Sequence, residues 1–309
     1  MQSIIDAHVH IMPPVRIAGL MRWIRRAFPD HPVDPNISEA GIVSDLSGKG
    51  IPFFFNYVYP LRPDETGALN EFNEELSRRL PQAAPFGSLH LDTPDKEAVT
   101  RRCMEGHRFV GLKFHPFVQR FDPADERMFA VYELMEEYGR PVVLHTGFEE
   151  FYRMKMPPAD IERILRRFPR LVLVLSHCLF PYFREVRALM EGYRGVWLDA
   201  TNVFGALNYL ALPTGPTAGR DWSETGELFR ALMNDFSDRT LFGTDHPVGM
   251  GNLGTIYGDF AAFGLSDEIS RAILWENPLA FIGRFAPEIR QRWEASMDPD
   301  ARREKHALS

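Results

Sequence analysis

The sequence predicts a (β/α)8 barrel, and three observations carry that reading. Short β-rich apolar runs alternate with longer amphipathic stretches nearly from end to end. Eight such units fit into about 250 residues, the usual length of this barrel. The runs are also continuously apolar, as in Leu171-Val172-Leu173-Val174-Leu175 and Pro141-Val142-Val143-Leu144. A strand covered on one face alone would alternate; continuity is expected where helices cover both faces of a parallel sheet. A doubly wound open sheet shares the rhythm, but no G-x-G-x-x-G follows any strand.

The strands are expected at Ser3–His8, Ile51–Tyr57, Ala83–His90, Phe109–His115, Pro141–His145, Leu171–His177, Gly195–Asp199 and Thr240–Asp245. Helical candidates between them are Asp64–Arg79, Asp95–Glu105, Asp125–Tyr138, Pro158–Arg167, Pro181–Glu191 and Ser223–Phe236. Several open on helix-start chemistry, Pro94-Asp95 and Pro123-Ala124-Asp125 among them. Two regions break the rhythm, and in a barrel both would lie over the mouth that holds the active site. Residues 12–36 carry Arg16, Arg22, Arg25 and Arg26, a set read as a solvated helix face ahead of an anion clamp. Residues 201–221 are rich in Gly, Pro and Thr. One barrel domain is therefore expected over residues 1–285, with further helices and a polar tail over 286–309.

Composition narrows the function classes. Of 309 residues 45% are apolar and 25% charged, which supplies a sizeable core and excludes disordered and disulfide-scaffold proteins. The 35 basic and 42 acidic side chains leave a formal charge of −7 with no basic block, so no nucleic-acid partner is expected. No apolar run approaches the ~18–20 residues of a membrane span, so no membrane association is expected. Asp6, His8 and His10 interrupt the N-terminus where a signal peptide would be apolar. Cys103 and Cys178 show no framework or metal spacing. The expectation is a cytoplasmic protein acting on a small molecule, with a homodimer the commonest assembly for such chains.

The histidines carry the functional signal. His8, His10, His90, His115, His145, His177 and His246 lie at or within two residues past the end of an expected strand; His31, His107 and His306 do not. In a parallel barrel every strand ends at the same opening, so these seven imidazoles would ring one mouth. In Asp6-Ala7-His8-Val9-His10 the two histidines are i and i+2, on one face of a strand, and can converge on one ion. His145 ends a wholly apolar strand before Thr146-Gly147, as a ligand at a tight exit or as a core histidine bonded to a carbonyl. His177, in Ser176-His177-Cys178, repeats that arrangement. Asp245 supplies a carboxylate at the eighth strand, next to the first once the barrel closes, able to bind a metal and carry a proton; an Asx-turn before Pro247 is the bland alternative. Lys113 and His115 share a face of the fourth strand. A lysine there can be carbamylated to bridge two ions, hold a substrate carboxylate, or pair with an acid. His90 reads equally as a substrate contact or a structural residue.

Together these pieces resemble the amidohydrolase superfamily, in its amidohydrolase-related or "amidohydrolase 2" branch. The matching segments are Asp6-Ala7-His8-Val9-His10, Gly111-Leu112-Lys113-Phe114-His115-Pro116, Leu144-His145-Thr146-Gly147, Ser176-His177 and Phe242-Gly243-Thr244-Asp245-His246-Pro247. The closing Glu276-Asn277-Pro278-Leu279-Ala280 fits too, so the resemblance spans nearly all of residues 4–285. It implies metal ligands His8, His10, His145 and Asp245, with Asp245 also the proton carrier. It implies that His177 binds metal or polarises the substrate. One divalent ion is implied, zinc or else manganese, with a second if Lys113 is carbamylated.

Two chemistries follow from the resemblance. In hydrolysis the ion lowers the pKa of its water from 15.7 to roughly 7. Asp245 takes the water's proton, and His177 helps stabilise the oxyanion on an amide, ester or lactone. In non-oxidative decarboxylation of an aromatic or enol-type acid, a protonated Asp245 delivers a proton to carbon. Decarboxylases of the branch tend to follow the sixth-strand histidine with a glycine-rich stretch. His177-Cys178-Leu179-Phe180-Pro181 has none, which favours hydrolysis.

Overall fold

The computed structural model describes residues 4–210 and 222–297. Its strands are β1 Ile5–Val9, β2 Phe53–Tyr57, β3 Ala83–Phe86, β4 Leu112–Phe114, β5 Pro141–His145, β6 Val172–Ser176, β7 Val196–Asp199 and β8 Thr240–Leu241. All pair in parallel, as one ladder of β1-β2-β3 and another of β4 through β8. Two seams join the ladders. At one, the Lys113 amide donates to the Gly87 carbonyl at 2.8 Å; at the other, the Asp245 amide donates to the His8 carbonyl at 2.8 Å. Those bonds close the sheet into a (β/α)8 barrel, as the sequence predicts.

Every residue of the eight strands is buried, which is why their runs are continuously apolar. Along β5, β6 and β7 the same face carries Val143 then His145, Val174 then Ser176, and Trp197 then Asp199. The apolar members pack with Phe281, Phe285 and Trp293 from the helices Asn277–Phe285 and Pro287–Met297. Trp293 stacks on Phe53 at 4.6 Å and donates to the Pro81 carbonyl, so these helices close the N-terminal end of the barrel. The polar members are left at the C-terminal mouth. The tail from residue 298 and residues 211–221 of the second expected loop lie outside the described residues.

Several expected strands are longer than the observed ones, and side-chain chemistry explains why. Past β3, the Ser88 amide donates to Asn70 and the His90 amide to Thr66 and Thr93; past β4, the His115 amide donates to Gln119. Side chains thus take the amides that would extend the ladders. Past β8, backbone bonds to β1 continue, the Ala7 amide donating to the Phe242 carbonyl at 3.0 Å, and Gly243 passes so close to β1 that any Cβ would collide with His8. The helices expected at Asp95–Glu105 and Asp125–Tyr138 are each composite. The first runs as an α-helix over Lys96–Arg101 and a π turn over Arg102–Gly106; the second opens with a 3-10 turn over Glu126–Met128.

The 12–36 region contains the helix Pro14–Ala27, with proline at its first position and Ile17, Met21 and Ile24 buried. Arg25 donates to the carbonyls of Pro29 and Val33, and Arg16 pairs with Glu65 at 2.5 Å. Among the described residues no helix is long and apolar enough to cross a membrane.

Both cysteines are free and buried, and burial pushes the Cys103 thiol up to about 12. Neither thiol is expected to react with a disulfide reagent at pH 8 until the chain unfolds. Titration of the thiols with and without denaturant checks this; a fast-reacting thiol in the folded protein would contradict the packing.

Candidate metal centre

The site is built from the ends of β1, β7 and β8. Asp6 ties the first to the last: it accepts from the amides of His8 and Thr244, both at 3.0 Å, and from the Thr244 hydroxyl at 2.6 Å. Burial pushes the Asp6 carboxyl up to about 7 against the pull of these donors. The β1–β2 register shifts between Asp6 and Val9, an irregularity that brackets His8.

Tautomers follow from the fixed partners. His8 Nδ1 lies 2.6 Å from Asp199 Oδ2, and His10 Nδ1 lies 2.9 Å from the Tyr57 carbonyl. Neither acceptor carries a proton to give, so both Nδ1 atoms donate, and in the neutral rings both Nε2 atoms hold lone pairs. Burial lowers the His8 pKa to about 3, which keeps that ring neutral. His8 Nε2 has no hydrogen-bond partner and lies 3.6 Å from Asp245 Oδ1; His10 Nε2 lies 3.0 Å from the same oxygen. One ligand atom from each of the three lies within 4.8 Å of the others. Lone pairs converging on a carboxylate repel unless a proton or a cation lies between them. Two imidazole nitrogens and one carboxylate are a donor set suited to zinc or manganese, so these residues fit a divalent ion.

His145 and His177 form a second pair beside this trio. His177 Nδ1 donates to the Thr201 carbonyl at 2.8 Å, and its Nε2 faces His145 Nδ1 at 3.1 Å. The His177 and His8 rings are 5.5 Å apart. His145 Nε2 is buried without a partner, and its ring stacks on His115 at 3.6 Å. Of the four expected ligands the structure thus converges His8, His10 and Asp245, with His145 reaching them through His177. In that tautomer His177 Nε2 accepts rather than donates, and burial lowers its pKa, which disfavours the imidazolium an oxyanion donor would need. Residues His177, Cys178 and Leu179 form a turn with φ of +62°, +50° and +49° and no glycine. Such backbone costs roughly 1–2 kcal/mol per residue and recurs at functional sites. The Leu179 amide donating to Thr146 helps hold it.

Lys113 is fully buried; its Nζ donates to Ser176 Oγ at 3.0 Å and lies 4.8 Å above the Tyr57 ring. Burial brings its pKa down to about 8, opposed by Asp199 and Asp245. His115 joins the His145 stack and leaves Nδ1 without a partner. His90 stands apart, its Nδ1 accepting from the Asp92 amide at 3.1 Å to close a turn. His246 packs away from the trio, 3.2 Å from Asp45. Aromatic rings wall the mouth. Tyr59 packs edge-on to His10 and His115, and Tyr152 edge-on to His115 and His145. From the helix Pro14–Ala27, Trp23 meets Phe151 and Tyr152 at 5.4 and 6.3 Å.

Asp199 ends the seventh expected strand, and sequence reasoning missed Asn202, whose amide donates to Asp245 Oδ2 at 2.8 Å. The strand-end position was the signal for Asp199; nothing local marks Asn202.

Residues 5–284 match the family model Amidohydro_2, described as Amidohydrolase. The chain belongs to this family. Among curated proteins it is 31% identical over 109 residues to Protein fluG of Emericella nidulans, covering 35% of this chain and only 11% of that protein. Solved structures of the same fold include an uncharacterized TIM-barrel protein from Bordetella bronchiseptica, with a TM-score of 0.69 and 20% identity over 91% of this chain and 99% of that one. The 2,6-dihydroxybenzoate decarboxylase from Rhizobium gives 0.63 and 16% over 92% and 99%. A probable 2-pyrone-4,6-dicarboxylic acid hydrolase from Acinetobacter baumannii gives 0.59 and 14% over 91% and 99%. The family is one of metal-dependent enzymes, and the solved structures that share this fold include both decarboxylases and hydrolases.

Proposed function

We propose that this amidohydrolase-family chain is a metal-dependent hydrolase that cleaves an amide, ester or lactone in a small molecule. The observation that carries the reading is the convergence of His8 Nε2, which has no hydrogen-bond partner, with His10 Nε2 and Asp245 Oδ1, one ligand atom from each lying within 4.8 Å of the others. These three would hold the ion. A divalent ion supplies Lewis-acid activation of water and of a carbonyl at neutral pH. The Asp245 carboxylate would accept the proton of the attacking water as the new C–O bond forms, and return it to the leaving nitrogen or oxygen as that bond breaks. Asp199 keeps His8 in the tautomer that offers Nε2. His177 serves as an electron-pair donor rather than an oxyanion donor. Cys178 and Leu179, both fully buried, fill the space beside His177 that a glycine-rich segment would leave open, which supports hydrolysis over decarboxylation.

Decarboxylation is the second reading, favoured by the aromatic wall of Tyr59, Phe117 and Tyr152, which suits a planar acid, and by the fold shared with the Rhizobium decarboxylase. There Asp245 would deliver a proton to carbon, and Lys113 or His115 would hold the acid.

Elemental analysis of protein purified without added metal or chelator is expected to find about one zinc or manganese per chain. About two would implicate a carbamate on Lys113. None, with none taken up on reconstitution, would overturn the metal reading. Lactone, amide and ester panels run beside aromatic-acid decarboxylation assays then separate the two chemistries; CO2 release without hydrolysis would reverse the assignment.

A further inference from the structure

We propose that Asn202 is a positioning residue for Asp245: its amide holds one carboxylate oxygen so that the other faces His8 and His10. This rests on the metal-site reading above. A carboxylate turning about its Cβ–Cγ bond presents two equivalent oxygens. Here they are made unequal. Asn202 Nδ2 donates to Asp245 Oδ2 at 2.8 Å, and Oδ1 is the atom that meets His10 Nε2 at 3.0 Å and His8 Nε2 at 3.6 Å.

The amide is itself held at its other end, since Asn202 Oδ1 accepts from the Met250 amide at 3.0 Å. Turning it over would set an NH2 against an N–H and a carbonyl against a carboxylate, losing both bonds at once. Asn202 has φ +65° and Asp245 φ +60°, left-handed positions that asparagine and aspartate tolerate better than other side-chain-bearing residues. Asn202 also closes a short stretch that orients the rest of the site. Asp199 binds His8 Nδ1, the Thr201 carbonyl receives His177 Nδ1, and Asn202 binds Asp245. Three site side chains are thus oriented from one exit of one strand.

The test uses two variants and Co2+ alone as probe. Asn202→Gly keeps the left-handed backbone and removes the amide. Asn202→Asp keeps the shape and the acceptor for Met250 but replaces the donor toward Asp245. Affinity is read by competition with a chelator, and coordination by the visible absorption of the Co2+-loaded chain. The expected result is a 10- to 100-fold weaker Kd for Asn202→Gly, the usual effect of removing a group that orients a ligand, and an altered Co2+ spectrum in both variants. Wild-type affinity and spectrum in both, even with a lowered melting temperature, would overturn the inference. Should Asn202→Gly fail to fold, the spectrum of Asn202→Asp decides alone. Failure of the underlying reading looks different: wild-type chain that binds no Co2+, or binds it unchanged after His8→Ala, removes the site itself.

Discussion

His8→Ala is expected to empty the centre: bound metal falls from about one per chain to near zero, and turnover falls at least about a thousandfold, the order of Lewis-acid activation lost. His8 is the residue to remove because its ring is oriented through one nitrogen and leaves the other unpartnered. Asp199 holds Nδ1 at 2.6 Å, so Nε2 has no role in the fold and stands free for an ion. Alanine also leaves Asp199 fully buried and short of its histidine partner, so some stability is lost as well. Metal content by elemental analysis and affinity by chelator competition read the first effect apart from the second. His107→Ala is the control, since His107 pairs with Glu74 at 2.8 Å outside the site. Wild-type metal content in His8→Ala would sink the ligand assignment, and unchanged turnover of a verified substrate would sink the catalytic role.

Asp6→Ala is expected to produce the largest loss of stability, about 2–4 kcal/mol, because three buried donors lose their acceptor together. The amides of His8 and Thr244 and the Thr244 hydroxyl all end on this carboxylate, which stitches β1 to the exit of β8 at the seam closing the barrel. Urea unfolding is the measurement, with the midpoint falling and the slope unchanged. Asp6→Asn should lose less, since its amide oxygen still accepts from the two backbone amides. Equal losses in the two variants would mean that side-chain volume, not the hydrogen bonds, holds the seam.

The barrel was legible because burial on both faces writes itself into local sequence as unbroken apolar runs. The pairing His8-Val9-His10 was legible for a similar reason: ligands two residues apart on one strand need no distant information. Strand ends were less so. The amides past Phe86 and Phe114 go to Asn70, Thr66, Thr93 and Gln119, partners set by packing and by the loop that follows. His90 looks in sequence like the other strand-end histidines, yet its Nδ1 closes a local turn with Asp92.

The sequence by itself determined the parallel barrel, the mouth at which the histidines gather, and the residue types able to hold a divalent ion. Only the tertiary structure decided which of those residues meet. His8 and Asp245 are brought together by the seam between the first and last strands, and His145 is turned toward His177 instead. The tautomers were decided there too, because a histidine's free nitrogen depends on what its other nitrogen touches. For His8 that partner is Asp199, 191 residues away, and for Asp245 the fixing amide is Asn202, 43 residues away. Periodicity reports which face a residue occupies; contacts across such separations exist only after the barrel has closed.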